Sequence, residues 1–139
     1  MSRGTGRRHR GRRLALRVLF ELEGTTRDAA EALRYQAQDE AAPADVVTFA
    51  EELVYGTLRN LEGIDDAISA ASANWRLEDI GKVERAVLRL GAFELLFERG
   101  VPSAVAIDEC IELSRTYAGD EAAPFVNGVL GRIAGGEGE

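Results

Sequence analysis

Five arginines within seven residues, Arg7, Arg8, Arg10, Arg12 and Arg13, are the residues of this sequence best suited to chemistry. Guanidinium groups bind phosphates bidentately and stack on unpaired bases, so the cluster points to an anionic polymer and, by composition, to nucleic acid. The other candidates are weaker. The single histidine, His9, lies inside the same cluster, read here as a flexible arm in which nothing fixes catalytic geometry. The single cysteine, Cys110, falls on an apolar helical row and reads as a buried, inert thiol. No Cys/His cluster has metal-ligand spacing, and no glycine-rich loop joins a strand to a helix. The carboxylate neighbours Glu109 and Glu112, and Glu51 and Glu52 near Tyr55, read as solvated acidic faces. The expectation is therefore a binding protein, with no enzyme activity, no metal and no cofactor.

The charge distribution sharpens this. The first twenty residues carry seven arginines and no acid. The remainder holds ten basic and twenty-four acidic residues, −14, so the net −7 hides a basic arm on an acidic body. The arm suits a polyanion, and the body suits a second, protein partner or serves only solubility. One cysteine in 139 residues excludes an internal disulfide framework and fits a cytoplasmic protein. No apolar run reaches 18 residues, so no membrane span is expected. Leu14 to Phe20 after an arginine-rich start imitates a signal sequence, but Arg17 interrupts it and no cleavage site follows.

Residues 82–97, KVERAVLRLGAFELLF, organise the chain. Val83, Val87, Leu90 and Phe97 recur at helical spacing, and Ala86, Leu88, Ala92, Phe93 and Leu95 widen the stripe round most of the circumference. Such a helix is buried and central. Gly91 in its middle implies a neighbouring helix at close range. Around it the pattern predicts further helices. One spans 12–23. A second, capped by Thr25 or Thr26 with Asp28 completing the box, reaches about Gln38. A third runs from an Asp45 cap to Asn60. A short fourth through Ile64 and Ile68 follows a break at Gly63. A sixth over 104–117 is capped by Ser103, and a last covers 121–134, with Pro124 tolerated in its first turn. Trp75 and Leu77 are expected to plug the connection before the central helix. The fold class is all-α: a single-domain seven-helix bundle over 12–134, preceded by a flexible arginine-rich arm (1–11) and followed by a disordered tail (135–139). An apolar helix face could serve a homodimer as readily as a core.

The segments RRLALRVLFEL, FAEELVYGTLRN, KVERAVLRLGAFELL, VP, AIDECIELSRTY and FVNGVL, in this order and separation, resemble the NusB family of transcription antitermination factors over residues 7 to 133. The resemblance implies the seven-helix NusB fold and an RNA-binding adaptor. Such an adaptor pairs with NusE, a ribosomal small-subunit protein, on boxA RNA of ribosomal RNA operons within the transcription elongation complex. It also implies RNA contacts at Arg7, Arg8, Arg10, Arg12, Arg13, Phe20, Tyr117, Phe125 and Asn127, and a NusE-facing surface at Glu78, Lys82, Glu84 and Arg85. Simple core packing is the alternative for Phe20, Tyr117 and Phe125. Phe20 stands where the family commonly has Tyr, Asp108 where it often has Asn, and His9, Gly6 and Gly11 dilute the arginine run. Two other functions compete: a protein-only scaffold with an incidental arm, and the NusB-like RNA-binding module that fronts certain ribosomal RNA cytosine methyltransferases. The latter needs a methyl-donor-binding domain with a Gly-rich βα unit, and none is read in these 139 residues.

Overall fold

The computed structural model describes residues 6–23, 27–73, 75–98 and 100–135. Seven α-helices account for nearly all of them: α1 (Arg7–Glu23), α2 (Ala29–Asp39), α3 (Ala44–Arg59), α4 (Leu61–Ala71), α5 (Lys82–Phe97), α6 (Ser103–Ala118) and α7 (Ala123–Gly135). Single 3-10 turns, Leu77–Asp79 and Asp120–Ala122, precede α5 and α7. No strand occurs among the described residues. The all-α bundle expected from the sequence is the observed architecture.

The central position of α5 follows from its composition. It packs against α1, α3, α4, α6 and α7. Ala86 through Leu88 and Leu90 through Glu94 are all buried along it. Gly91 allows two of these contacts: a Cβ there would stand 2.9 Å from both Cys110 Sγ of α6 and Leu130 Cδ1 of α7. The bundle closes around Leu14 and Val18 of α1, Leu53 of α3, Ile64 and Ile68 of α4, Leu113 of α6 and Val129 of α7, each 1% exposed or less. Fully burying a side chain of this size contributes roughly 1.5–3 kcal/mol.

Several boundaries differ from the sequence reading. The first helix begins at Arg7, not Arg12, so the flexible arm does not extend through residue 11. Residues 1–5, and Gly24 to Thr26 with their expected cap, lie outside the described residues, as does 136–139 of the expected tail. Asp28 itself caps α2, its carboxylate accepting from Glu31 N at 2.8 Å. Pro43 and Pro102 occupy the N-cap positions of α3 and α6, so Asp45 and Ser103 sit just inside the helices. Proline fixes an extended entry and lacks only an N–H that a helix start leaves unpaired anyway. The break before α4 falls at Asn60, and Gly63 lies within that helix. The last turn of α5 runs past the core, leaving Leu96 and Phe97 44% and 45% exposed. Trp75 is likewise exposed and not a plug.

A half-buried ion network ties α1 to α4 and α5. Glu23 accepts from Arg85 (2.6 and 3.2 Å) and from Arg89 (2.8 Å). Arg89 also grips Asp65 of α4 through two bonds of 2.8 and 3.0 Å. Arg85 donates onward to the carbonyls of Leu77 and Ile80. Burial pushes the Glu23 carboxyl up, but the Arg85 hydrogen bond and the Arg85 and Arg89 charges outweigh it, holding the group below the ordinary value of 4.5. A carboxyl depressed in the folded state stabilises above its unfolded pKa, and that contribution is lost as pH falls through the folded value. Melting curves should therefore show Glu23→Gln less stable than the parent at pH 7. The difference should shrink as pH is lowered from about 5 to about 3. A constant difference across that range would place Glu23 outside the network.

Candidate nucleic-acid interface

Helix geometry divides the arginines of α1 into two sets. At about 100° per residue, Arg10, Arg13, Arg17 and Phe20 fall in one outward sector. Arg8 and Arg12 fall on the opposite side, toward α3 and α5. Arg7, in the first turn, is exposed and its Nη1 donates to Asp45 Oδ1 at 2.7 Å. Three arginines in the first turn, with no acid there, oppose the helix dipole and leave that end suited to an external anion.

Arg8 is exposed but placed. Its Cζ lies 4.2 Å from the centroid of the Phe49 ring of α3. The ring reaches α1 because Gly11 has no side chain: a Cβ there would collide with the ring edge. Arg12 is different. Its side chain is 4% exposed, and Nε and Nη2 donate to Glu94 Oε2 and Oε1 at 2.8 and 2.9 Å. Burial pulls its pKa down, while the Glu94 hydrogen bond and the Glu94 and Glu109 charges raise it further, so it ends above the ordinary guanidinium value. Arg12 is thus an internal ion-pair residue that does not reach an external phosphate.

His9 is also held. Its Nδ1 lies 2.6 Å from Glu109 Oε1, with side chains 11% and 3% exposed. The premise that nothing fixes His9 is therefore wrong, and Glu109 is not a solvated face. The neighbouring Cys110 thiol is fully buried, and burial, reinforced by Glu94, pushes its pKa far up. No group of three or more His, Cys, Asp or Glu suited to a metal occurs among the described residues.

The remaining expected contacts separate into two places. Phe20 and Tyr117 share a groove with Arg17, Tyr35 and Val83, between α1, α2, α5 and α6. Phe20 and Tyr117 are 44% and 37% exposed, so neither is core. Phe125 instead meets Trp75 edge-on, ring centroids 6.1 Å apart, in a second groove lined by Asp79, Glu84 and Glu121. Asn127 is exposed on α7 but about 200° around from Phe125, so it does not join that groove. Of the expected NusE-facing residues, Glu78 and Lys82 are exposed and Glu84 lines the acidic groove. Arg85 is spent on Glu23 and two carbonyls and is not free to face a partner.

Phe49 and Tyr35 are the residues sequence reasoning missed. Phe49 reads as ordinary core of α3. Tyr35 has no signal beyond being an aromatic on the outer side of α2.

Comparison with known proteins places this arrangement. The NusB family model matches residues 9–135. The transcription antitermination protein NusB of Sorangium cellulosum is 42% identical, with 93% of this chain and 92% of that protein covered. The Myxococcus xanthus protein of the same name is 41% identical, over 93% and 95%. The structure of T. maritima NusB superposes with a TM-score of 0.85 at 37% identity, over 92% and 90% of the two chains. A crystal structure of the antitermination factors NusB and NusE in complex with double-stranded RNA matches with a TM-score of 0.86 at 28% identity, over 93% and 96%. With the family model spanning all but the first two residues of the seven helices, the chain belongs to the NusB family.

Proposed function

We propose that this protein is an RNA-binding adaptor of transcription antitermination, engaging boxA RNA of ribosomal RNA operons together with NusE. The carrying observation is the cationic, exposed end of α1 on an otherwise acidic chain. Arg7, Arg10 and Arg13, together with the exposed Arg8 held against Phe49, supply phosphate contacts, and the row of Arg10, Arg13 and Arg17 leads to the aromatic groove at Phe20 and Tyr117. The NusB–NusE–RNA assembly among the similar structures supports the same reading. Acting in antitermination places the protein in the cytoplasm beside the elongation complex. Among the described residues no helix is long and apolar enough to cross a membrane.

The acidic groove at Asp79, Glu84 and Glu121 suits a basic ribosomal protein by charge complementarity. Glu84→Lys should weaken NusE binding, measured by titration calorimetry, and leave RNA binding by the free protein near the parent value. Equal loss of both would show damage to the fold and remove Glu84 from the partner surface.

A further inference from the structure

We propose that the groove between α1, α2, α5 and α6 receives one unpaired nucleobase of the bound RNA, with Tyr35 of α2 as a stacking wall. This rests on the RNA-binding reading above and extends the interface onto a helix not otherwise connected with RNA.

The groove holds about 790 Å³, within the roughly 300–1,000 Å³ typical of small-ligand sites. Leu16 and Val83 give it an apolar base. Phe20, Tyr35 and Tyr117 converge on it from three different helices, 44%, 55% and 37% exposed. Clustered exposed aromatics mark a binding surface, whereas single ones need no explanation. Arg27 Cζ stands 5.2 Å from the Tyr35 ring centroid, so a guanidinium covers one face of that ring and a second planar group can use the other. At one edge, Gln36 Nε2 donates to Glu21 Oε1 at 2.9 Å and Arg27 pairs with Glu21 Oε2 at 3.0 Å, a polar cluster that holds Arg27 beside the Tyr35 ring.

Charge selects the occupant. The outward sector of α1 carries Arg10, Arg13 and Arg17 and ends at Phe20, inside the groove. Arg17 pairs with Asp39 at 3.3 Å and Glu40 at 2.9 Å, and Arg13 stands 3.6 Å from Glu40, so a phosphate would share these two guanidiniums with α2 carboxylates. A cationic row is suited to a sugar-phosphate backbone, and an aromatic pocket at its end is suited to a base. A single strand uses both parts. A duplex, with its bases stacked and paired, uses only the row.

The test is fluorescence anisotropy with labelled single-stranded boxA RNA, with NusE present. It compares the parent, Tyr35→Ala and Tyr35→Phe, using RNA made abasic at one position at a time. Tyr35→Ala should weaken binding roughly 5- to 150-fold, the effect of one lost base–aromatic stack, while Tyr35→Phe retains parent affinity. One abasic position should weaken the parent similarly and add nothing to Tyr35→Ala. Annealing the RNA to its complement should abolish the difference between parent and Tyr35→Ala. Unchanged melting temperatures are expected because Tyr35 lies outside the core. Equal RNA affinity of parent and Tyr35→Ala overturns the pocket and leaves the RNA-binding reading intact. So does a Tyr35→Ala effect that no abasic position shares, or one that appears on NusE binding without RNA. A parent that binds no RNA overturns both.

Discussion

Replacing Arg12 by alanine is expected to lower the melting temperature by roughly 10–20 °C. Arg12 and Glu94 form a two-point ion pair with side chains 4% and 0% exposed. The truncation leaves the Glu94 carboxylate in the interior, close to a second buried carboxylate, Glu109. Breaking a buried pair by removing one member costs about 3–5 kcal/mol, because the surviving charge is uncompensated. Replacing both by leucine removes that penalty, so Arg12→Leu with Glu94→Leu should melt near the parent. The same double variant should keep parent RNA affinity, because Arg12 is not among the arginines that face outward. A parent-like melting temperature for Arg12→Ala alone would contradict the burial on which this assignment depends.

The second large effect is on RNA. Arg7, Arg8, Arg10 and Arg13 replaced together by alanine should remove most of the salt dependence of binding. For single strands, log affinity falls with log salt by about 0.7 per phosphate contact, so four contacts give a slope near −3. Between about 50 and about 200 mM salt the parent should lose roughly 50-fold in affinity, and the variant little. The fold should survive. The Arg7–Asp45 pair is exposed and contributes about 0–1 kcal/mol. Arg13 approaches the largely buried Glu40 only at 3.6 Å, and Glu40 keeps Arg17 at 2.9 Å when Arg13 is removed. The Arg8 stack on Phe49 adds about 0.5–1 kcal/mol. Substitution is a cleaner probe than deleting residues 1–11, because deletion would remove the first turn of α1, His9 with its Glu109 contact, and Gly11 under Phe49.

The sequence made some of this legible and hid the rest for identifiable reasons. The central place of α5 could be read from residues alone, because a helix apolar on nearly all sides has no other stable position. The close approach at Gly91 was legible for the same reason. The start of α1 was not. Arginine and glycine in residues 6–11 look like a disordered arm, and what makes them helical is partners far away in sequence: Phe49 for Arg8 and Gly11, Glu109 for His9, Glu94 for Arg12. Those last two pairings span 100 and 82 residues, and helical periodicity carries no information at that separation. The arginine cluster was legible as a candidate site, but its division into outward and inward members was not. Phe20 and Tyr117, balanced between core and contact on sequence grounds, are settled as exposed by the groove they line. Phe125 and Asn127 are neighbours in sequence, yet the turn of α7 separates them.

The central claim is that Arg7, Arg8, Arg10 and Arg13 at the start of α1 make this protein an RNA adaptor that works with NusE. The most direct measurement is fluorescence anisotropy with labelled boxA RNA. It compares the parent with the four-arginine variant, each with and without NusE. The account predicts binding that NusE strengthens and that the substitutions weaken, with the parent showing a salt slope near −3. No binding in any of the four mixtures, or equal binding by parent and variant, would contradict it.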